Sequence, residues 1–304
     1  MNGIIPVHKP AGMTSHDVVY HLRKILQMKK IGHAGTLDPS VDGVLPIAVG
    51  RATKAIEFLQ ESGKIYTGEV TFGFATETED LDGAVIAREP LMAPFTTTDI
   101  DNAMATLRGT ITQIPPMYSA VKVNGRRLYD YARAGETVAR PERQVTIYRF
   151  ERTSEPLFDP ATGTQKFKFV AEVSKGTYIR TLAVDLGAKL GVPSVMSQLT
   201  RRKAGGFMLD EAFTIEQLAD KMATDHDLGD WVKTLNAALA DYPQIELSDA
   251  EWSYAKDGVG LDATVAPGQP ARFVSLRHGQ VKAVYDWSNA KQKYRPYRTF
   301  SNED

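Results

Sequence analysis

A glycine-rich loop, GHAGTLDPSVDG at residues 32–43, constrains the fold more than any other segment of this 304-residue chain. Its three glycines and the proline at position 39 come too close together for a regular helix or strand. Glycine permits positive φ and close backbone approach, and Pro39 disfavours helical torsions at Asp38. The segment is therefore predicted to be a shaped loop that presents His33 and Asp38. A carboxylate held on such a loop suits a nucleophile or an acid–base group.

The composition excludes several kinds of chemistry. The chain has no cysteine, which excludes thiol catalysis, disulfides and thiolate zinc sites and fits a reducing interior. His8, His16 and His21 lack the spacing of metal ligands, and the glycine-rich loop is neither a phosphate loop nor a dinucleotide fingerprint. We therefore expect no metal, no nucleotide and no other cofactor. Because we find neither a secretory signal nor an apolar run near the roughly 20 residues of a membrane span, we expect a cytoplasmic location without membrane attachment.

Strand and helix patterns are intermixed along the chain. Alternating residues predict strands at 64–72, 143–152 and 165–174, and the spacing of apolar residues predicts helices after Thr14 and at 53–60, 99–107 and 182–190. Turn signals such as Asn124-Gly125 predict hairpins, and the elements do not repeat as βαβ units. These patterns favour the α+β class.

The pattern changes near residue 240, and a chain of this length is expected to form two domains. The last part carries one helical pattern at 249–256 and short strand patterns at 271–276 and 280–285 around the turn His278-Gly279. We expect a first domain of residues 1–240 and a small β-rich domain of residues 241–304, just large enough for its own core.

Charged residues are segregated although the net charge is −1. Basic runs occur at residues 21–33, which hold no acid, and at 201–203 and 291–298, whereas acidic runs occur at 77–82 and 210–230. Such patches can direct a polyanion to one face of a near-neutral molecule. A simple solvated face is the alternative for each run.

Three segments could meet at one site. They are the Asp38 loop, the predicted strand with Tyr66, and the strand-to-helix turn KGTYIRTL at 175–182, which carries Arg180. A bidentate pair with Arg180 would keep Asp38 ionised and oriented, and the glycine at 68 would leave room beside Tyr66. Taken singly, however, an Asp before Pro is typical of a turn, a strand tyrosine of the core and such an arginine of the surface.

Five sequence blocks carry a family resemblance. They are KPAGMTSHD (9–17), GHAGTLDP (32–39), KIY (64–66), PPMYSAVK (115–122) and GTYIRTL (176–182). In this order the chain resembles the TruB family of bacterial tRNA pseudouridine-55 synthases, and its C-terminal part resembles, more loosely, their PUA module. Departures such as Ala34, Val173 and the residues at 40–42 remove no candidate catalytic group. The resemblance implies a mixed, largely antiparallel central sheet flanked by helices, followed by a small PUA-like RNA-binding domain.

The resemblance also implies an activity, the isomerisation of uridine-55 in the T-arm of tRNA to pseudouridine. This reaction breaks the bond from C1′ to N1 of uracil and joins C1′ to C5, without redox partner, group donor or metal. Asp38 would be the nucleophile, acting on C1′ or C6 or through a glycal route, and Arg180 would hold it. Tyr66 would be the base for a proton on the sugar or on C5 and could also stack on the uracil, while Tyr178 and Leu199 would line the pocket.

The remaining expectations concern the RNA. The target uridine must be flipped out of the folded T-arm, and His33 is the wedge that would fill its place, a loop-structuring hydrogen bond being the alternative. Further substrate contacts are expected at Lys64 and, to phosphates, at Arg126, Arg127 and Arg202. Basic residues 291–298 would reach the acceptor stem, and the chain is expected to be a monomer.

Two other functions stay open from the residues alone. An RNA-binding or RNA-folding protein could keep the fold without the chemistry, although the intact Asp38, Tyr66 and Arg180 argue against it. A carboxylate glycoside hydrolase normally needs a partner acid, and the matched blocks offer none for Asp38.

Overall fold

The computed structural model describes residues 1–303, in which strands and helices alternate irregularly along the chain. The strands are β1 (Gly3–Lys9), β2 (Ile31–His33), β3 (Asp42–Val49), β4 (Lys64–Phe72), β5 (Phe74–Thr76), β6 (Val85–Arg88), β7 (Gly109–Gln113), β8 (Lys122–Val123), β9 (Arg126–Arg127), β10 (Arg143–Arg152), β11 (Leu157–Asp159), β12 (Thr164–Val173), β13 (Ser194–Ala204), β14 (Phe207–Met208), β15 (Gln244–Glu246), β16 (Arg272–Arg277), β17 (Gln280–Ser288) and β18 (Lys293–Thr299).

The helices are α1 (Ser15–Ile25), α2 (Ile56–Glu61), α3 (Thr97–Thr106), α4 (Leu128–Arg133), α5 (Ile179–Leu190), α6 (Ile215–Asp225), α7 (Leu235–Ala238) and α8 (Asp249–Ala255), with 3₁₀ segments at Gly50–Ala55, Leu209–Glu211, Gly229–Trp231 and Ala263–Val265. No helix within residues 1–303 has the length and apolar character needed to cross a membrane.

A ten-stranded mixed sheet forms the centre of the fold. Its strand order is β1-β3-β13-β4-β12-β10-β7, with β2, β14 and β11 paired to β3, β13 and β12. Neighbours along this path are antiparallel except for β3 and β13, which run parallel. The predicted α+β class and the mixed, largely antiparallel sheet are confirmed.

Helices cover the sheet where the strands present apolar side chains. One core joins Phe72, Phe150, Phe167 and Phe169 of the strands to α3 and α5, and another joins β1 and β3 to α1 and α6. Burying one such side chain stabilises the fold by about 1.5–3 kcal/mol, so these two layers fix the sheet between the helices.

Most predicted elements occur where the sequence placed them, with local corrections. Strand β4 has the predicted bounds, and α5 ends at Gly191, whose φ of 74° is left-handed. Helix α3 begins two residues earlier than predicted because Thr96 and Asp99 form a capping box. Residues 50–55, partly assigned to the helix at 53–60, form a 3₁₀ segment before α2.

A separate four-stranded sheet, β15-β16-β17-β18, follows residue 243. Together with α8 it encloses its own core, which includes Leu247, Trp252, Phe273 and Tyr294. The predicted hairpin turn lies between β16 and β17 at residues 278–279, both with positive φ. The small β-rich C-terminal unit is thereby confirmed.

Candidate active site

Asp38, on the loop between β2 and β3, and Arg180, in the first turn of α5, meet in one ion pair. Arg180 Nε lies 3.1 Å from Asp38 Oδ2. The two residues line a cavity of about 880 Å³. The guanidinium is buried, whereas 40% of the Asp38 side-chain surface is exposed. The carboxylate therefore keeps a free face toward a molecule in the cavity.

The pair is not bidentate, contrary to the sequence prediction. Arg180 Nη1 donates to the carbonyl of Thr78 at 2.8 Å, and Nη2 donates to the carbonyl of Tyr118 at 2.9 Å. Only Nε remains to bind carboxylates, because Nη1 and Nη2 donate to these two backbone carbonyls. Without Arg180, both carbonyls would lose these donors. These two bonds hold the guanidinium at both ends and direct Nε toward Asp38.

The electrostatics of Asp38 are governed by two opposing effects. Burial among the cavity walls raises the pKa of the Asp38 carboxyl above its ordinary value, and the Arg180 guanidinium lowers it by less. The carboxylates of Asp80 and Asp82 add to the upward shift. Arg180 does favour the charged form of Asp38, as expected, but the effect of desolvation on the pKa of Asp38 is larger than the effect of Arg180. The result is a carboxylate that is more basic than one in water.

Asp80 is a second carboxylate at the site, which the sequence analysis had placed in an acidic surface run. Its side chain is only 8% exposed, and its Oδ2 lies 3.6 Å from Arg180 Nε. Its Oδ1 accepts hydrogen bonds from the Thr78 hydroxyl and the Asp82 amide. No pattern in the run distinguishes this buried residue from its exposed neighbours. Because Asp80 is engaged in these bonds and does not line the cavity, it is poorly placed as the free partner acid of a glycoside hydrolase.

Strands β4 and β13 bring further predicted residues to the cavity. Tyr66 on β4 and Leu199 on β13 both line it. The glycine at 68 does not leave the room beside Tyr66 that was predicted. A Cβ there would lie 2.4 Å from the Gln198 carbonyl oxygen and 2.7 Å from the Phe169 ring. Gly68 thus allows β4 to pack tightly against its neighbours.

The turn into α5 depends on a residue that the sequence did not indicate. Gln113, buried at the end of β7, donates from Nε2 to the Tyr178 carbonyl at 3.0 Å and accepts from the Tyr178 amide at 2.7 Å. Tyr178 lines the cavity and directly precedes α5. This amide clamp therefore fixes Tyr178 and the start of the helix that carries Arg180.

Arg201 is buried, although it was assigned to an exposed basic cluster. Its residue surface is 1% exposed, and its guanidinium donates to the carbonyls of Val44 (2.9 Å), Gly35 (3.1 Å) and Thr36 (3.4 Å). Burial lowers the pKa of Arg201, and interaction with the Tyr66 hydroxyl opposes that shift. One side chain therefore links the Asp38 loop, β3 and Tyr66.

The block at residues 9–17 folds against the Asp38 loop. The buried Lys9 ammonium donates to the carbonyls of Pro10, Met13 and Pro39, and burial lowers its pKa to about 8. The Leu37 amide donates to the Ser15 hydroxyl at 2.9 Å, and the Gly12 amide donates to the Pro39 carbonyl at 2.8 Å. The first two sequence blocks thus form one structural unit.

His33, the predicted wedge, lies at the end of β2 outside the residues that line the cavity. Its ring contacts His16 edge to face, with centroids 5.7 Å apart. Its Nδ1 is buried and forms no hydrogen bond of regular geometry with any residue from 1 to 303. Burial, followed by His16 and Arg201, lowers the pKa of His33, and a hydrogen-bonding interaction with the Gly35 backbone opposes that shift; the net lowering favours a neutral ring.

The predicted cationic contacts differ in how free they are. Lys64 and Arg127 line the cavity, and Arg202 is exposed on β13. The Lys64 ammonium donates to the carbonyls of Gln60 and Ser62, and burial lowers its pKa to about 8. Arg126 lies away from the cavity lining.

Arg126 is already paired within the chain. It forms a 2.7 Å ion pair with Glu136 and donates to the Asp130 carbonyl. Its guanidinium also lies over the Tyr131 ring. A phosphate would have to compete with Glu136 for this side chain. Over residues 1–303, no three His, Asp or Glu side chains gather as a set of metal ligands.

Comparisons with known proteins show the family to which this chain belongs. The family model for the N-terminal domain of TruB family pseudouridylate synthases matches residues 23–179, and that for the tRNA pseudouridylate synthase B C-terminal domain matches residues 180–240. The tRNA pseudouridine synthase B of Lacticaseibacillus paracasei is 56% identical over 97% of this chain and 96% of its own length. That of Levilactobacillus brevis is 52% identical over 99% of both chains.

A solved structure extends the agreement to the fold. A chain in the crystal structure of a Cbf5-Nop10-Gar1 complex superposes with a TM-score of 0.75 at 25% identity, covering 98% of this chain and 85% of that one. The predicted pseudouridine-synthase fold and the predicted enzyme class, a pseudouridine synthase that acts on tRNA, are therefore confirmed. Since the matched models run from residue 23 to residue 240 and more than half of all residues are shared with relatives of the same length, this chain belongs to the TruB family of pseudouridylate synthases.

Proposed function

We propose that this enzyme converts uridine-55 in the T-arm of tRNA to pseudouridine, with Asp38 as the group that starts the reaction. The observation that carries this proposal is the Asp38–Arg180 pair at 3.1 Å in the wall of a cavity. A cavity of about 880 Å³ is ample for one flipped nucleotide, which agrees with the size of ordinary small-molecule sites.

The proposed chemistry uses residues of this chain alone. The ionised Asp38 attacks C1′ or C6, or starts a glycal route, and the bond from C1′ to N1 breaks. The base turns within the cavity, and C1′ joins C5 while any bond to Asp38 breaks and releases the carboxylate. The proton on C5 is lost to a base, for which we propose the Tyr66 hydroxyl, and N1 of the product takes up a proton. Arg180 holds Asp38 in place and favours its charged form during the first step.

We propose that His33 occupies the place of the flipped nucleotide. Unstacking a base costs a few kcal/mol, and a ring that replaces the base in the stack offsets part of that cost. A neutral imidazole is suited to this position because a charged ring would have to be desolvated there. Tyr178 and Leu199 would then contact the base inside the cavity.

The RNA contacts and the organisation of the chain are further parts of the proposal. Lys64, Arg127 and Arg202 would contact the substrate directly, and Arg126 would do so on release from Glu136. We propose a catalytic domain of residues 1–240 and a PUA-like domain of residues 241–304 whose basic residues 291–298 reach the acceptor stem. Because a single chain supplies Asp38 and Arg180, we propose that the enzyme acts as a monomer, and we propose the cytoplasm as its location.

The test is to map pseudouridine in an unmodified tRNA transcript after incubation with the enzyme. We expect one modified position, uridine-55, and no product with Asp38→Asn, which should still bind the RNA. The same product yield with Asp38→Asn would overturn the catalytic assignment. Modification elsewhere would overturn the assigned position, and release of free uracil would indicate a glycoside hydrolase instead.

A further inference from the structure

Helix α1 presents three exposed side chains that the proposed reaction does not use. His16, Tyr20 and Lys24 are spaced four residues apart, so they lie along one face of the helix. The Tyr20 side chain is 54% exposed, and the Lys24 ammonium lies 4.4 Å from the centroid of its ring. We call these three residues the α1 stripe. An aromatic ring beside a free cation is typical of surfaces that bind single-stranded RNA.

The stripe begins at the proposed position of base flipping. His16 contacts the His33 ring, and the start of α1 is bonded to the Asp38 loop through Ser15 and Leu37. From His16 to Lys24 the helix rises about 12 Å, at 1.5 Å per residue. An RNA strand that leaves His33 along α1 would therefore meet Tyr20 and then Lys24.

The charge of the stripe is not neutralised within residues 1–303. Lys24 has no carboxylate partner there, and the acid of α1, Asp17, accepts hydrogen bonds from Thr14 at the helix start. Arg23 is different, because it donates to the carbonyl of Ile31. The basic run of residues 21–33 thus contains both a structural arginine and a free lysine. The free lysine lies on the same face as Tyr20.

We propose that the α1 stripe binds the substrate strand that flanks the flipped nucleotide. Tyr20 stacks an unpaired base on the ring face that Lys24 does not cover, and Lys24 contacts a phosphate of the same strand. His16 supports His33 at the start of the strand. This inference rests on the proposed function, and it gives a binding surface to a segment of the RNA that lies outside the cavity.

The experiment measures tRNA binding as a function of salt in the Asp38→Asn background, for which the proposed function predicts no product. Tyr20→Ala should weaken binding about fivefold or more, the lower end of the effect of removing one stacking ring. Lys24→Ala should reduce the slope of log affinity against log salt by about 0.7–0.9, the value for one lost phosphate contact. Tyr20→Phe keeps the ring and should bind like the parent protein.

Matched controls lie on other exposed surfaces. Tyr148→Ala on β10, which is 60% exposed in the parent, and Lys189→Ala at the end of α5 remove the same groups elsewhere and should leave binding unchanged. The proposal is overturned if the double variant Tyr20→Ala/Lys24→Ala binds tRNA within twofold of the parent with the same salt slope.

The outcome is separable from that of the proposed function. If the stripe variants lose binding while the enzyme with Asp38 intact places pseudouridine at another position of the tRNA, the proposed position is wrong and the α1 stripe stands. If pseudouridine appears at position 55 and the stripe variants bind tRNA normally, the α1 stripe is wrong and the proposed position stands. Melting temperatures of all variants should match the parent, because the four substituted side chains are exposed and a fold defect would lower the melting temperature.

Discussion

Two adjacent arginines on β13 should show different effects of the same substitution, one on stability and the other on RNA binding. Arg201 is buried and donates to three carbonyls, whereas Arg202 is exposed. We predict that Arg201→Met destabilises the fold and lowers turnover. Arg202→Met should leave stability unchanged and weaken RNA binding. Each variant is the control for the other, because both remove one cation from the same strand.

The magnitude for Arg201 follows from its acceptors. The Val44 carbonyl lies in the core and would be left without this donor, which costs about 1–3 kcal/mol, and loss of a charged hydrogen bond costs about 1.5–3 kcal/mol. The carbonyls of Gly35 and Thr36 belong to a partly exposed loop, so water replaces much of what they lose. Removing a buried cation recovers some desolvation energy, and the sum is therefore about 3–5 kcal/mol rather than the full total of the three bonds.

Calorimetry provides the assay. For a chain of this size about 2 °C of melting temperature corresponds to 1 kcal/mol, so Arg201→Met should melt about 6–10 °C lower. Arg202→Met should melt within about 1 °C of the parent, as expected for a surface substitution. The reasoning is refuted if Arg201→Met melts within about 2 °C of the parent, because the three carbonyls would then not depend on this side chain.

Three further predictions concern the site. In Arg180→Gln the pKa of Asp38 should rise further, because a cation that favours the carboxylate is lost while Asp80 remains, so the rate should begin to fall at a higher pH on acidification; single-turnover rates against pH check this, and an unchanged acid limb contradicts it. His33→Ala should slow modification of a folded T-arm stem-loop more than that of an unstructured oligonucleotide, and His33→Phe should restore part of the difference; equal losses on both substrates would count against a wedge. Gly43→Ala should destabilise the fold by about 1–3 kcal/mol, since φ is +129° and the new Cβ would lie 2.4 Å from the Arg201 carbonyl oxygen; a melting temperature like that of the parent would show that the strands can separate without cost.

The sequence predicted those parts of the fold that depend on local patterns. Alternation in β4, β10 and β12 and the glycine after α5 report directly on burial and chain reversal, which are set within a few residues. The pairing of distant strands is not local. The parallel contact of β3 with β13, which brings Arg201 under the Asp38 loop, joins segments with no shared pattern.

The same distinction applies to the candidate site. Asp38 and Arg180 were predicted to lie together because both stand in sequence blocks that resemble the family. Their contact through Nε alone depends on the carbonyls of Thr78 and Tyr118, which no motif encodes. Arg201 and Asp80 were misassigned to surface runs because charge in a sequence is typical of exposure. Burial of a charged side chain is decided by acceptors and donors from other elements. Such residues can be found only when the packing is known.

A buried arginine and a buried lysine explain how the Asp38 loop can be in place before RNA binds. Arg201 and Lys9 hold the Asp38 loop through backbone carbonyls, and these acceptors are present whether or not a substrate occupies the cavity. The loop therefore needs little ordering upon binding, and the free energy of RNA contacts is not consumed there. Under the proposed function, that free energy would be available to unstack the target base, which costs a few kcal/mol. Under the proposed function, this arrangement would separate two tasks: Arg201 and Lys9 would fix the Asp38 carboxylate, and the exposed cations on α1 and β13 would supply the energy of base flipping.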